Sequence, residues 1–243
     1  MFRSYTPIKE VFKKFINFLS GEKCYICGKK NIFICEDCSK TLAYIEGKHC
    51  SICLSSLLGE SMGDKLICGE CLKNPPSFKK VFSLFWYEGA IREIVHDIKF
   101  KQKYYYLPEL FALNRERINN ILNEIGKIDY IVPMPLSRKR KIQRGYNQAL
   151  LIAKELSNIA KVPLLRDFLI KNKELPPLMS LSREERFKYI KGAFSIAKKK
   201  CVDTIVLVDD IITTTATIRE ASKTLKKGGC NEIYVFTICR TKS

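Results

Sequence analysis

The sequence predicts an α/β fold, a parallel sheet with helices on both faces, preceded by a small cysteine-rich module. Three observations predict it. After residue 128, short apolar runs alternate with stretches of helical spacing, and strand–helix–strand order implies parallel pairing. Eight of the eleven cysteines fall in four C-x-x-C pairs before residue 72. Between these regions, Lys73-Asn74-Pro75-Pro76-Ser77 has the composition of a domain boundary. The expected organisation is an N-terminal helix over 1–20, a double four-cysteine module over 21–76 and the sheet domain over 77–243.

Composition narrows the class. The chain has 243 residues, 46% hydrophobic and 28% charged, which excludes wholesale disorder and allows a sizeable core. No apolar run approaches the ~18 residues of a membrane span. The N-terminus lacks the apolar core of an export signal, so a cytoplasmic protein without stable membrane insertion is expected. With 43 Lys+Arg against 25 Asp+Glu the formal charge is +18, which favours a polyanionic partner.

The elements follow in order. Thr6-Pro7 reads as an N-cap and first helical residue, and Ile8, Val11, Phe12, Phe15, Ile16 and Leu19 then recur at helical spacing. That basic amphipathic helix is expected to pack on its own protein, although such a helix can also lie on the inner face of a membrane. Beyond the cysteines, 81–86 reads as a strand, 90–98 as a helix and 108–125 as another helix. Residues 129–133 form a short buried strand and 147–160 a helix. A polar stretch covers 171–188, and 192–196 is a strand. Then 205–208 is a buried strand, 216–227 a helix ended by Gly228-Gly229, and 233–239 a final strand.

The cysteine pairs are Cys24/Cys27, Cys35/Cys38, Cys50/Cys53 and Cys68/Cys71. Each can place two thiolates on one ion, and two pairs complete a closed tetrahedral zinc site. A disulfide framework needs an oxidising compartment, and a redox C-x-x-C usually occurs once. Two structural Zn²⁺ ions are therefore expected. Sequential pairing gives two zinc ribbons, and interleaved pairing gives a cross-brace. The short gap between Cys27 and Cys35 favours the sequential form. His49 abuts Cys50 and is expected at the surface rather than on the metal.

The most informative stretch is Val206-Leu-Val-Asp-Asp-Ile-Ile-Thr-Thr-Thr-Ala-Thr217. A buried strand ends in two carboxylates, and small hydroxyl residues then open a helix. Backbone N–H groups at a helix N-terminus cradle phosphate, and carboxylates accept hydrogen bonds from sugar hydroxyls. Phosphate plus ribose is the natural ligand.

VLVDDIITTTAT resembles the phosphoribosyl-pyrophosphate (PRPP) motif of type I phosphoribosyltransferases. Four C-x-x-C pairs, CLKNPPSF (71–78), YEGAIREIVHDIKF (87–100), IVPMPLSRKRKIQRGYNQALLIAKEL (131–156) and LSREERFKYIKGAF (181–194) precede it. In that order they resemble the ComF family of competence proteins over nearly the whole chain. The resemblance implies a zinc-ribbon domain joined to a phosphoribosyltransferase-like domain that handles incoming single-stranded DNA during natural transformation. It implies PRPP with Mg²⁺ as ligand, and a DNA translocase or helicase of the uptake machinery as partner. Carried over by position, Asp209 and Asp210 contact ribose, and Thr213, Thr214, Thr215, Ala216 and Thr217 wrap the 5-phosphate. Pro135, Leu136, Ser137 and Arg138 lie in the pyrophosphate loop, near Arg140 and Arg144. Arg183 and Arg186 belong to a flexible lid within 171–188.

Three positions depart from the family pattern. Thr215 replaces a Gly, Leu178 a frequent Gln, and Tyr189 an Asn. If position 215 keeps a glycine-like φ > 0, a β-branched residue there is strained by ~1–2 kcal/mol. An acceptor-reading hood is expected within 79–127, although no nucleobase motif is visible there. His96 is expected on a helix surface or packed, not catalytic.

A second use of the charge is nucleic-acid binding. Arg138, Lys139, Arg140, Lys141 and Arg144 carry five positive charges in seven residues, followed by Tyr146. Lys139, Lys141 and Tyr146 are the DNA candidates, whereas Tyr104-Tyr105-Tyr106 is expected to pack. Residues 1–78 hold 11 Lys+Arg and 8 Asp+Glu, and 79–243 hold 32 and 17. Two zinc tetrathiolates would leave the first part near neutral, so the charge belongs to the sheet domain. Two readings stay open at this level: a DNA-uptake factor with a PRPP pocket, or an active phosphoribosyltransferase with an unidentified base or amine acceptor.

Overall fold

The computed structural model describes residues 23–57, 66–174, 183–197 and 202–242, without the side chains of 183, 184 and 186. The N-terminal helix expected over 1–20, Leu178, Cys201 and the side chains of Arg183 and Arg186 lie outside the described residues.

A short helix, α1 (Glu36–Ser39), follows Cys35, and α2 (Gly69–Lys73) follows Cys68. Then come β1 (Lys80–Trp86), α3 (Gly89–Phe100), α4 (Tyr106–Leu113), α5 (Arg115–Ile125), β2 (Tyr130–Pro133), α6 (Arg138–Arg144) and α7 (Gln148–Ala160). The chain continues through β3 (Leu169–Lys171), α8 (Arg183–Ile190), β4 (Phe194–Ile196), β5 (Val202–Ile212), α9 (Ala216–Lys227) and β6 (Cys230–Arg240). The main sheet has the order β1-β6-β5-β2 and is parallel throughout, and β3 and β4 form a separate antiparallel pair.

Alternation along the strands explains the two covered faces. Val206, Val208, Phe236 and Ile238 join Phe82, Leu84 and the apolar sides of α3, α4, α5 and α7 in one core. Ile205, Leu207, Ile233 and Val235 point the other way, into a core with Ala216, Ile218, Ala221 and Leu225 of α9. Side chains of period two with both sets buried are what a doubly covered parallel sheet requires.

The cysteine module straddles the β1 edge. Phe33, Ile34 and Leu42 belong to the first core, and Leu54 to the second. The connecting backbone covers the free edge: Trp86 N–H donates to Ala43 O (2.7 Å), Ile45 N–H to Leu84 O (3.2 Å) and Val81 N–H to Ile52 O (2.8 Å). An edge strand so paired no longer offers open hydrogen-bonding groups.

Several expectations are corrected. The single helix expected over 108–125 is two helices. Asn114, 1% exposed, leaves helical geometry at φ −105°, and its Nδ2 donates to Leu110 O (2.8 Å). The basic run 138–144 is itself helical, closed by Gly145 at φ +76°, where glycine is the natural residue. Residues 79–127 do not form a hood: they supply β1 and three core-packed helices. β3 and β4, with α8 between them in sequence, form their own two-stranded sheet and add Leu169, Ile190 and Phe194 to the core beneath α9. β5 runs on to Ile212, beyond the apolar run, because β6 pairs with it as far as Arg240.

Candidate functional site

The parallel strands β2 and β5 are neighbours, and both candidate anion loops leave their C-terminal ends. This is the edge of an open α/β sheet at which ligands bind. Asp209 and Asp210 lie within β5 itself, near its C-terminal end, and both are half-buried. Thr213 and Thr214 bridge to α9, a 12-residue helix with Thr215 at its N-cap. Thr215 adopts φ −75°, ψ −2°, and is 5% exposed. The condition for strain at this position is not met: the backbone is right-handed, a conformation any residue adopts.

Charge is concentrated around the carboxylates. Asp209 Oδ1 accepts from Asp210 N–H (2.9 Å), and Asp210 Oδ1 from Ile211 N–H (2.7 Å). Lys99, in the last turn of α3, reaches Asp210 Oδ2 at 3.1 Å, with both side chains under one-fifth exposed. Burial, reinforced by the neighbouring Asp210 charge, pushes the Asp209 carboxyl up to about 7. Lys171 on β3 is pushed down by burial and by the Arg140 charge, against the opposing pull of Asp209 and Glu174. Lys99 and Lys171 are therefore site residues that the motif reading missed. Lys99 could have been suspected from its place in YEGAIREIVHDIKF; Lys171 had no sequence signal.

The second loop, Met134 to Ser137, is held by Asn147, whose Nδ2 donates to Met134 O (3.0 Å) while its Oδ1 caps α7 at Ala149 N–H (3.1 Å). Pro135 and Leu136 are half-buried and Ser137 is buried. At the start of α6, Lys139 N–H donates to Glu174 Oε1 (2.9 Å). That backbone bond, then Ser137, holds the Glu174 carboxyl below its ordinary range. A carboxylate thus sits where the sequence places a pyrophosphate loop. Among the described residues, Arg138, Lys139, Arg140, Lys141 and Arg144 make no ion pair with an acidic side chain, and no residue of α6 is buried. Arg144 lies over the Phe100 ring (5.3 Å) and donates to Gln148 Oε1 (3.1 Å). Tyr146 is half-buried, its hydroxyl donating to Ile98 O.

The cysteines group sequentially: Cys24, Cys27, Cys35 and Cys38 in one cluster, Cys50, Cys53, Cys68 and Cys71 in the other, with the sulfurs of each within 4.8 Å of one another. Either cluster can hold a tetrahedral ion. The two repeat the same turn. Cys35 N–H donates to Cys24 Sγ (3.4 Å) and Cys68 N–H to Cys50 Sγ (3.3 Å). Gly28 at φ +78° closes the first turn, and Leu54 at φ +59° the second. His49 is half-buried rather than at the surface, paired through the backbone with Ser56, and belongs to neither cluster.

Charge also supports a metal in the second cluster. Arg240, 2% exposed, donates through Nη2 to Ser55 Oγ (2.8 Å), while its Nε and Nη1 have no hydrogen-bond partner among the described residues. A buried guanidinium needs nearby negative charge. A divalent ion on four thiolates supplies a net −2. Arg219 of α9 makes a second link: Nη2 donates to Cys71 Sγ (3.3 Å), Nε to Thr215 Oγ1 (2.9 Å) and Nη1 to Asn74 O (2.5 Å). One side chain thus ties the cysteine module to the N-cap of the threonine loop.

Tyr189 is exposed on α8, and His96 is exposed on α3 with its ring 4.9 Å from Phe100. Tyr106 packs against Phe33 (4.7 Å), as expected, but Tyr104 and Tyr105 stay about half exposed.

Comparison with known proteins finds relatives along most of the chain. The chain is 30% identical over 212 residues to Competence protein F of Haemophilus influenzae, covering 85% of this chain and 90% of that protein. It is 27% identical over 182 residues to DNA utilization protein YhgH of Escherichia coli, covering 72% and 78%. It is 23% identical over 219 residues to Competence protein ComFC of Bacillus subtilis, covering 86% and 84%. No protein-family model matches the chain. Among solved structures, TT1426 from Thermus thermophilus aligns at a TM-score of 0.32 and 15% identity, over 54% of this chain and 72% of that one, too remote to bear on the fold.

Proposed function

Because the chain belongs to the ComF family of competence proteins, we propose that it is a DNA-uptake factor that binds single-stranded DNA and PRPP through its sheet domain. One observation carries the PRPP part. Two anion loops leave adjacent strand ends, one bearing Asp209 and Asp210 at its root and a 12-residue helix N-terminus at its tip, the other opening a basic helix. In this reading Asp209 and Asp210 receive the ribose hydroxyls, and residues 213–217 hold the 5-phosphate. Residues 135–138 with Arg140 and Arg144 receive the pyrophosphate once Glu174 moves aside. Mg²⁺ bound with PRPP would supply charge neutralisation at the pyrophosphate oxygens. Arg183 and Arg186 would close over the ligand from the lid.

The DNA part rests on α6. Among the described residues only Glu174, beside Lys139, sets a carboxylate against its five cations, whereas Lys99, Lys101 and Lys103 are engaged by Asp210 and Asp97. Lys139 and Lys141 are the phosphate contacts. The two cysteine clusters would hold structural zinc, and the module over 21–76, net negative once both clusters are loaded, would be the face offered to a translocase or helicase. Among the described residues no helix is long and apolar enough to cross a membrane.

Pyrophosphate release from PRPP, measured against a panel of bases and amines, tests the assignment. Binding without turnover supports an uptake factor with a ligand-sensing pocket; turnover with one acceptor supports the phosphoribosyltransferase instead.

A further inference from the structure

We propose that Phe100 and Tyr104 form a base-stacking platform beside α6, so that single-stranded DNA binds with its backbone on the α6 cations and its bases on these rings. This rests on the DNA-binding reading above and adds the residues that would distinguish a single strand from a duplex.

The rings are exposed and held in place. Phe100 is 61% and Tyr104 49% exposed, far more than core aromatics of their size. The His96 ring lies 4.9 Å from the Phe100 ring, tilted by 44°, and the Arg144 guanidinium lies 5.3 Å from its centre. Tyr104 meets the edge of Tyr146 at 5.5 Å, and the Tyr146 hydroxyl is fixed to Ile98 O. The aromatic groups are thus oriented by the α3 terminus and by α6, not by the core. Beside them lies a cavity of about 410 Å³ lined by Gln102, Tyr104, Arg144, Gly145, Tyr146 and Leu151. That volume lies within the range of small-molecule pockets and exceeds a nucleobase.

Charge decides the occupant. Lys101 and Lys103, which flank these rings in sequence, are 2.8 and 3.0 Å from Asp97, whose single charge offsets one of the two. Glu174 lies beside Lys139 at the start of α6, and Arg138, Arg140 and Lys141 make no ion pair among the described residues, so α6 keeps most of its charge. A partner suited to this face carries regularly spaced anions and exposed flat rings. Single-stranded DNA has both, whereas duplex DNA hides its base faces. Lys99 points inward to Asp210 from the residue next to Phe100, so the platform borders the carboxylate pair.

The test is fluorescence anisotropy with a labelled oligothymidine of about 20 nucleotides, an abasic strand of the same length and a duplex, each over a salt series. Stacking on two rings is expected to give the wild type about a tenfold or greater preference for the base-bearing strand. Phe100→Ala/Tyr104→Ala is expected to lose that preference while its slope of log K against log salt is unchanged. Lys139→Ala/Lys141→Ala is expected to reduce the slope by about 1.4 and keep the preference. Zinc content and thermal unfolding report whether each variant folds, and Tyr104→Phe should retain wild-type binding. A double alanine variant that folds and still prefers the base-bearing strand overturns the platform, as does a wild type that binds the duplex equally well. A wild type that binds no single strand at any salt removes the DNA-binding function itself, a result distinct from either.

Discussion

Asp209→Asn is expected to stabilise the unliganded protein. The Asp209 carboxyl is pushed from 3.8 to about 7 by burial and then by Asp210. The folded state therefore keeps a proton that the unfolded chain releases, and stability falls as pH rises from about 4 to about 7. At ~1.4 kcal/mol per pK unit the full shift corresponds to roughly 4 kcal/mol. Solvent access to a half-buried group and relaxation against Lys99 reduce this to about 1–2 kcal/mol. For a domain of this size, 1 kcal/mol moves Tm by roughly 2–4 °C. Asn retains the oxygen that accepts from Asp210 N–H, so the local bond survives the substitution. Thermal unfolding at pH 5.5 and pH 8 is the assay. Asp209→Asn should melt a few degrees above wild type at pH 8, and the gap should narrow by about half at pH 5.5. A variant that melts lower at pH 8, or a gap independent of pH, refutes the assignment of a strained carboxylate held ready for a ligand.

Four further outcomes follow from named contacts. Glu174→Ala frees the Lys139 N–H and should tighten pyrophosphate binding several-fold in calorimetric titration; weaker binding would mean that Glu174 supports the loop rather than occupies it. Thr215→Gly, which restores the family residue, should not improve PRPP affinity, because φ is already −75°; it should instead destabilise by about 1 kcal/mol through backbone entropy and loss of the Arg219 bond, measurable by urea unfolding. Cys35→Ser and Cys68→Ser should each reduce bound zinc from two ions per chain to one by metal analysis, with the Cys68 variant also loosening α9 through Arg219 and Cys71 in hydrogen exchange. Asp97 is raised by burial but drawn down to about 2 by Lys101, Lys103 and Tyr25, so its contribution is full above about pH 4 and lost as pH falls toward 2. With Lys101 more than half exposed, Asp97→Asn should cost on the order of 1 kcal/mol at pH 7, a cost that vanishes as pH falls through about 2.

The four strands of the main sheet and most of the helices packed on it are legible in the sequence because each buries an apolar run bounded by polar or glycine residues; α9 spans 216–227 as its spacing and Gly228-Gly229 require. The cysteine spacing likewise carries the two clusters, since short-range turns fix those pairs. What escapes the sequence depends on partners distant in the chain. Asn114 breaks a periodic helix with one side-chain bond. α6 has no apolar stripe to announce it. Lys99, Lys171 and Arg219 enter the site from three separate elements, and surface lysines and arginines give no periodic signal. Whether Thr215 is strained depends on its φ, which a residue type alone does not give, and at −75° it is not. Tyr104 and Tyr106, two residues apart in one aromatic run, end on opposite sides of the solvent boundary, which composition alone does not distinguish.

The central claim, that the carboxylates of β5 and the threonine loop form a PRPP pocket, is tested most directly by titrating Mg²⁺-PRPP into the wild type and into Asp209→Ala/Asp210→Ala, with zinc content and folding matched. Saturable binding to the wild type and at least tenfold weaker binding to the variant are predicted. Equal affinity in the two proteins, or no binding to the wild type, would contradict the claim.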